Sequence, residues 1–109
     1  MKRGDVVLMI APRDLGRPRP GVVVQADELD IGASTILVCP LSTDIQYSPR
    51  LRPFVEPSTD NGLRARSQAM TDKILPLRRD RIRAVLGALD SETIDRLDRA
   101  LLIVLGLAR

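Results

Sequence analysis

Apolar residues in this chain come in short dense runs until the C-terminal segment, where they fall into helical spacing. Gly4 to Ile10 (GDVVLMI) is β-branched and aliphatic and stops before Pro12, which predicts a strand. Ala11 to Pro20 is polar and holds Arg13, Asp14, Gly16, Arg17 and Arg19, so it reads as a loop. "PGVVVQ", Pro20 to Gln25, predicts a second strand whose three consecutive valines imply burial on both faces. Ala26 to Gly32 is an acidic loop, and "STILVCPL", Ser34 to Leu41, is a third strand, apolar almost throughout. Ser42 to Arg52 is polar and contains proline, which fits another loop.

Beyond it, "LRPFVEP" holds a short strand between Pro53 and Pro57, and "STDNG" is a turn with Asn61-Gly62 as its strongest signal. Ser67 to Leu77 carries one or two further short strands, interrupted by Pro76. "LRRDRIRAVLG" opens with a turn and continues as a strand or a short helix. The last segment predicts a helix. Asp90 is placed to cap free N–H groups, Glu92 favours the positive end of the dipole, and Leu89 is positioned to staple onto Ile94. Ile94, Leu97, Ala100, Leu101, Val104 and Leu105 then share one face, and Gly106 is a natural stop. With no repeat, low-complexity tract or linker, residues 1–109 read as one domain. The expected architecture is mainly β, a small and mostly antiparallel, partly closed sheet with a C-terminal α-helix packed on it.

Composition refines this picture. Hydrophobic residues make up 44% of the 109, but aromatics are limited to one Phe and one Tyr, so the core must be aliphatic. Such a core is modest, and a permanent dimer interface would supplement it. The formal net charge is +3, and all the basic residues except Lys2 and Lys73 are arginine. Arginine presents a planar fork suited to phosphate and carboxylate, which leans towards a nucleic acid or another acidic partner. A GC-rich coding sequence would produce the same bias. The lone Cys39 excludes an intramolecular disulfide, fits a reducing cytoplasm and reads as a small core residue. The N-terminal apolar run is too short for a signal peptide, and Ala100 to Leu107 is too short to span a bilayer.

Absences narrow the chemistry. With no histidine and one cysteine there is no zinc set, and the acidic residues are too scattered for a magnesium site, so no metal or other cofactor is expected. Phosphate-cradling Gly-rich loops and Gly-x-Ser-x-Gly elbows are missing, and Ser/His/Asp and Cys/His catalysis are excluded by composition. Arginine, hydroxyls and backbone remain. One reaction suits them: RNA cleavage in which the substrate's own 2′-OH attacks the adjacent phosphate. The protein then need only hold in-line geometry and stabilise charge on the phosphoryl oxygens. Proton transfer falls to water, substrate groups or a perturbed arginine.

Arg17 and Arg19 lie where the first loop enters the second strand, in a backbone stiffened by Pro18 and Pro20. Ser42 and Thr43 follow the third strand directly; if strands two and three are neighbours, Arg19 faces Ser42 across one groove. A solvated loop and a plain turn would look the same from spacing alone. Arg64, Arg66, Lys73, Arg78, Arg79, Arg81 and Arg83, against Asp72 and Asp80, form a basic stretch that reads either as a polyanion footprint or as a solvated surface.

"MKRGDVVLM", "GRPRPGVVVQAD", "TILVCPLST", "FVEPSTDNGLRARSQAMTDKI" and "LDSETIDRLDRALLIVLGL" occur in that order. Together they resemble the MazF/PemK family of toxin–antitoxin endoribonucleases over nearly the whole chain. The resemblance implies an SH3-like small barrel of the MazF/PemK/CcdB type with a C-terminal helix, acting as a homodimer. It implies metal-independent cleavage of single-stranded RNA at short motifs, leaving a 2′,3′-cyclic phosphate or 3′-phosphate and a 5′-hydroxyl. It implies a cognate antitoxin whose acidic tail occupies the RNA groove.

By position, the resemblance makes Arg19 the central catalytic arginine. Ser42 stands where the family has a threonine, with Thr43 beside it, so either hydroxyl could bind the phosphate. Asp72 and Lys73 fall in a segment that helps bind RNA; Arg17, Arg64 and Arg66 join them as RNA-binding candidates. The loop before Arg19 is shorter than in many members and lacks their Gly-Ser-Glu segment, and Arg83 replaces an expected glycine. Two other readings compete. One is a non-enzymatic toxin of the CcdB type acting on DNA gyrase, although this chain ends "LGLAR" without the associated Trp-Gly-Ile. The other is a small basic RNA-binding module.

Overall fold

The computed structural model describes residues 1–108. Seven strands precede one helix: β1 Asp5–Met9, β2 Arg19–Val23, β3 Thr35–Ser42, β4 Phe54–Val55, β5 Ser67–Ala69, β6 Leu75–Arg78, β7 Ile82–Ala88 and α1 Ser91–Val104. Every pairing is antiparallel, in the order β4-β5-β3-β2-β1-β7, with β6 also on β3. The central strand is β3. One of its edges takes β2, through Val38 to Pro40, and the other takes β6 and then β5 in sequence.

The sheet curls around two apolar clusters, and strand alternation explains both. Val6, Val22, Cys39 and Leu41 face α1 and pack with Leu97 and Leu101, whereas Val7, Met9, Val23, Val38 and Leu77 pack on the other side. The valine run of β2 is accordingly buried on both faces, as its composition predicts. Cys39 is fully buried in the first cluster. The helix begins where expected: the Asp90 carboxylate accepts from Thr93 N at 2.8 Å, and the Thr93 side chain together with this backbone bond holds that carboxyl below its ordinary range. Gly106 adopts φ +74° just past its end.

Three details differ from the pattern-based reading. The break in Ser67–Leu77 falls at a 3₁₀ turn, Thr71–Lys73, and not at Pro76. Pro76 sits inside β6 opposite Leu37, where only one edge of the strand is paired and the missing N–H costs no ladder bond on the open side. The acidic loop contains a short 3₁₀ turn, Asp27–Leu29. The segment after Leu77 resolves to a 3₁₀ turn, Arg79–Arg81, followed by the strand β7.

Arg3 ties the N-terminus into this frame. Its backbone N–H donates to Asp27, its Nε to the Val24 carbonyl, and its Nη2 meets Asp98 of α1 at 2.7 Å. At the far edge, the turn Ser58–Gly62 leans on β7, with Ala88 N donating to the Asp60 carbonyl. Asn61 is buried and uses both ends of its amide there: Oδ1 accepts from Ser58 N and Leu63 N, and Nδ2 donates to the Glu56 carbonyl.

Gly87 is the point of closest approach. A Cβ on it would stand 2.1 Å from the Asp60 carbonyl oxygen and within 2.9 Å of the Asn61 backbone. These are main-chain atoms that cannot rotate aside. Gly87→Ala is expected to destabilise the fold by about 1–3 kcal/mol, read as a lowered urea midpoint at unchanged slope. An unchanged midpoint would show that the turn yields freely.

Candidate functional site

β2 opens at Arg19 and β3 closes at Ser42, and Gly21 pairs with Pro40. Continuing that antiparallel register by two residues sets Arg19 opposite Ser42. Both side chains line one cavity of about 410 Å³, within the size range of ligand pockets. Ala11 to Asp14 from the β1–β2 loop form one wall. Asp44, Gln46 and Arg52 from the β3–β4 loop form another, and Met70, Lys73 and Leu75 close it beside β3. Four cations and two carboxylates line it: Arg13, Arg19, Arg52 and Lys73, with Asp14 and Asp44.

The β1–β2 loop turns back on itself. Leu15 and Gly16 both adopt positive φ, 53° and 79°, and Arg17 N donates to the Asp14 carbonyl at 2.9 Å, the pattern of a type I′ turn. The turn returns the chain so that Asp14 meets Arg19, Oδ2 lying 2.7 Å from Nε. The contact is an ion pair without hydrogen-bond geometry, and this carboxylate oxygen is buried with no hydrogen-bond donor among the described residues. The guanidinium of Arg19 is therefore anchored from its Nε side.

Ser42 Oγ accepts from Asp44 N at 3.1 Å, which leaves the hydroxyl proton free to donate. Thr43, the next residue, points to the other face of the strand end. It lines a separate cavity with Leu8, Pro20, Leu63, Arg64 and Leu86. The structure thus brings Ser42, and not Thr43, to Arg19.

The other candidates divide. Lys73 lines the Arg19 cavity, whereas Asp72 does not line it and instead grips Arg52. Arg17 is exposed at the loop tip, outside the lining. Arg64 lies in the Thr43 cavity. Arg66 lies over the Phe54 ring at 3.8 Å and pairs with Glu56 at 2.6 Å. The basic stretch from Arg64 to Arg83 is not a single stripe. The segment passes through three strands and two 3₁₀ turns, which scatter its side chains, and Arg78 and Arg79 are paired with Asp80 and Asp30.

Sequence reasoning missed Arg13, Asp14, Asp44, Gln46 and Arg52 as cavity residues. Arg52 had a signal: "RPFV" at 52–55 repeats the Arg-Pro step into a strand found at "RPGV", 19–22. The loop that carries it is fastened by Gln68, which is fully buried. Gln68 Nε2 donates to the carbonyls of Gln46 and Arg52, and its Oε1 accepts from Gln46 N. Thr71 Oγ1 donates to the Leu51 carbonyl.

Against this geometry, the comparisons with known proteins are unambiguous. Residues 2–105 match the family model described as PemK-like, MazF-like toxin of type II toxin-antitoxin system. This chain belongs to the PemK/MazF toxin family. A probable endoribonuclease MazF of Mycolicibacterium smegmatis is 37% identical over 109 residues, 99% of each chain. Among solved structures, the Mycobacterium tuberculosis toxin MazF-mt6 superposes with a TM-score of 0.81 at 15% identity, covering 96% of this chain and 99% of that one. A mycobacterial endoribonuclease in complex with its cognate antitoxin also gives 0.81, at 20% identity, covering 100% and 98%. At these identities the superpositions establish the PemK/MazF fold, a curled sheet with one C-terminal helix.

Within the PemK/MazF frame Cys39 has no catalytic part. Burial, with the Asp72 carboxylate nearby, pushes its thiol up to about 12. No group of metal-ligating side chains occurs among the described residues. A disulfide thiol reagent is expected to leave the native protein unlabelled at neutral pH and to titrate one thiol in denaturant; rapid native labelling would place Cys39 in an accessible site. Gln68→Leu should cost about 1–3 kcal/mol by leaving two carbonyls and one N–H unpaired, and proteolysis should then begin in residues 43–53. Intact resistance of that loop would contradict the anchor.

Proposed function

We propose that the chain is a toxin endoribonuclease that cuts single-stranded RNA within this cavity, without a metal, by attack of the substrate 2′-oxygen on the neighbouring phosphorus. The observation that carries the reading is the meeting of Arg19 and Ser42 in one cationic cavity in a protein without histidine. As the 2′-O–P bond forms, the bond to the 5′-oxygen breaks. The products are a 2′,3′-cyclic phosphate and a 5′-hydroxyl. Negative charge builds on the non-bridging oxygens; Arg19, braced by Asp14, and the free proton of Ser42 are the donors aimed at it. The proton lost by the 2′-OH and the proton gained by the leaving oxygen balance, and both exchange with water in the open cavity. Arg13 and Lys73 supply further positive charge to the same lining, and Arg17 adds longer-range attraction from the loop tip.

A homodimer is the working form in this reading. Its support is the small aliphatic core together with apolar side chains left uncovered at Val85, Leu102 and Leu105. The reading also assigns a cognate antitoxin whose acidic tail competes with RNA for the cationic cavity. The relative complexed with its antitoxin is the precedent for such a partner. No helix among the described residues is long and apolar enough to cross a membrane, and the reading places the protein in the cytoplasm with Cys39 reduced.

Incubation of the folded, antitoxin-free protein with a long single-stranded RNA and a chelator is expected to give discrete fragments bearing cyclic phosphate ends. Intact RNA would overturn the reading. Arg19→Ala should lower the cleavage rate by about 10²–10³-fold while the protein stays folded. Ser42→Ala should fall clearly below wild type, and Thr43→Ala should keep its rate; the reverse order would transfer the phosphate contact to Thr43.

A further inference from the structure

Arg52 is the most constrained cation in the cavity. Its side chain is only 11% exposed, and its Nε and Nη2 donate to the two carboxylate oxygens of Asp72, each at 3.0 Å. This bidentate fork fixes the guanidinium plane as well as its position. Its backbone is fixed too: Arg52 N donates to the Ser48 carbonyl at 2.8 Å, and Gln68 donates to the Arg52 carbonyl at 3.0 Å. The remaining nitrogen, Nη1, makes no hydrogen bond among the described residues and is not among the buried unpartnered atoms. It therefore carries two unused N–H donors on a guanidinium that lines the cavity.

The placement relative to the proposed reaction centre gives those donors a task. In the sheet, β3 lies between β2 and β5. Arg19 starts β2, Ser42 ends β3, and the Arg52 carbonyl is bonded to Gln68 of β5. Arg52 leads into β4, the strand beyond β5, so a chain laid across the end of β3 meets Arg19, then Ser42, then Arg52, with β3 and β5 lying between the strands that carry the two arginines. That separation suits two groups of one extended polyanion better than two donors on a single phosphoryl group.

Resting on the endoribonuclease reading, we propose that Arg52 is a second, preset phosphate ligand that grips the RNA backbone beside the phosphate cut at Arg19. Asp72 is its positioning residue and does not itself touch RNA. The carboxylate stays ionised because the two hydrogen bonds from Arg52 hold it below the ordinary carboxylate range, so the fork persists throughout neutral pH. A fixed guanidinium has its conformational entropy removed before the RNA arrives. This accounts for an acidic residue next to a polyanion site, where simple charge counting would exclude one.

The test uses binding, separate from cleavage. The probe is a fully 2′-O-methylated copy of an RNA segment that the wild type cuts; it has no attacking hydroxyl. Arg52→Gln is expected to weaken binding about tenfold and to lower the slope of log K against log salt by about 0.7, the share of one phosphate contact on a single strand. Arg52→Lys should restore the slope but only part of the affinity, since ammonium cannot make the fork.

Asp72→Asn separates the two roles of the carboxylate. Removing a negative charge near RNA would tighten binding by electrostatics alone, whereas loss of the positioning fork weakens it. The proposal expects weaker binding, and it expects that weakening to vanish once Arg52 is Gln, where only the electrostatic gain is left. Circular dichroism and urea midpoints on every variant, the double variant included, identify any that fail to fold. The double variant lacks both charges and so leaves neither stranded, which keeps the comparison in a folded protein. Tighter binding by Asp72→Asn, or wild-type affinity and slope in Arg52→Gln, would overturn the assignment of Arg52 and Asp72 while wild-type cleavage leaves the parent reading standing. A wild type that neither cuts RNA nor binds the methylated copy would overturn both.

Discussion

β3 is hydrogen-bonded along both edges, and the rest of the molecule takes its register from that strand. β2 on one side and β6 with β5 on the other cannot slide without moving whole side-chain sets to the wrong face. The buried valines make a slip costly on either face, because both are packed. Three walls of the cavity hang from this strand: the end of β2, the end of β3 itself, and the β5–β6 connection, where Met70 N donates to the Pro40 carbonyl. The precision of the site is therefore a property of strand pairing in the core. The loops that complete it are secondary and are tied down one by one, by Asp14 on one side and Gln68 on the other.

A protein without histidine has few ways to vary charge near neutral pH, and this one does not try. All but two of its basic side chains, Lys2 and Lys73, are permanently charged guanidiniums, and what the fold varies is their freedom. Arg3, Arg19, Arg52, Arg66 and Arg79 each have a carboxylate partner. The uses differ with surroundings. Arg3 cross-links the N-terminus, the acidic loop and α1, whereas Arg19 and Arg52 are held while still facing a cavity. Ion pairing here contributes orientation more than stability, since exposed pairs are worth little.

The sheet, its antiparallel order and the helix with its Asp90 cap were legible in the chain because they rest on local signals: β-branched runs, turn residues and a helical apolar stripe. Arg19 and Ser42 were legible as a pair because consecutive strands usually neighbour each other. What could not be read was parity and distance. Ser42 and Thr43 differ by one residue at a strand end, and only the register decides which of them faces the cavity. Arg52 and Asp72 lie 20 residues apart, one in a polar loop and one in a 3₁₀ turn, and nothing local links them. The basic stretch from Arg64 misled for the opposite reason: charges adjacent along the chain were dispersed by the strands and turns that carry them.

The left-handed pair Leu15–Gly16 has a bearing on how such a molecule can diversify. Asp14 and Arg19 meet at the neck of the loop, and Leu15, almost wholly exposed, projects beyond it. Everything distal to that neck is mechanically separate from the cavity floor. Lengthening the tip adds chiefly a loop-closure entropy, about 0.6 kcal/mol for each doubling of its length. The tip is thus a module that evolution or an engineer can exchange, with the neck acting as a clasp that isolates the geometry of the sheet from whatever is grafted above it.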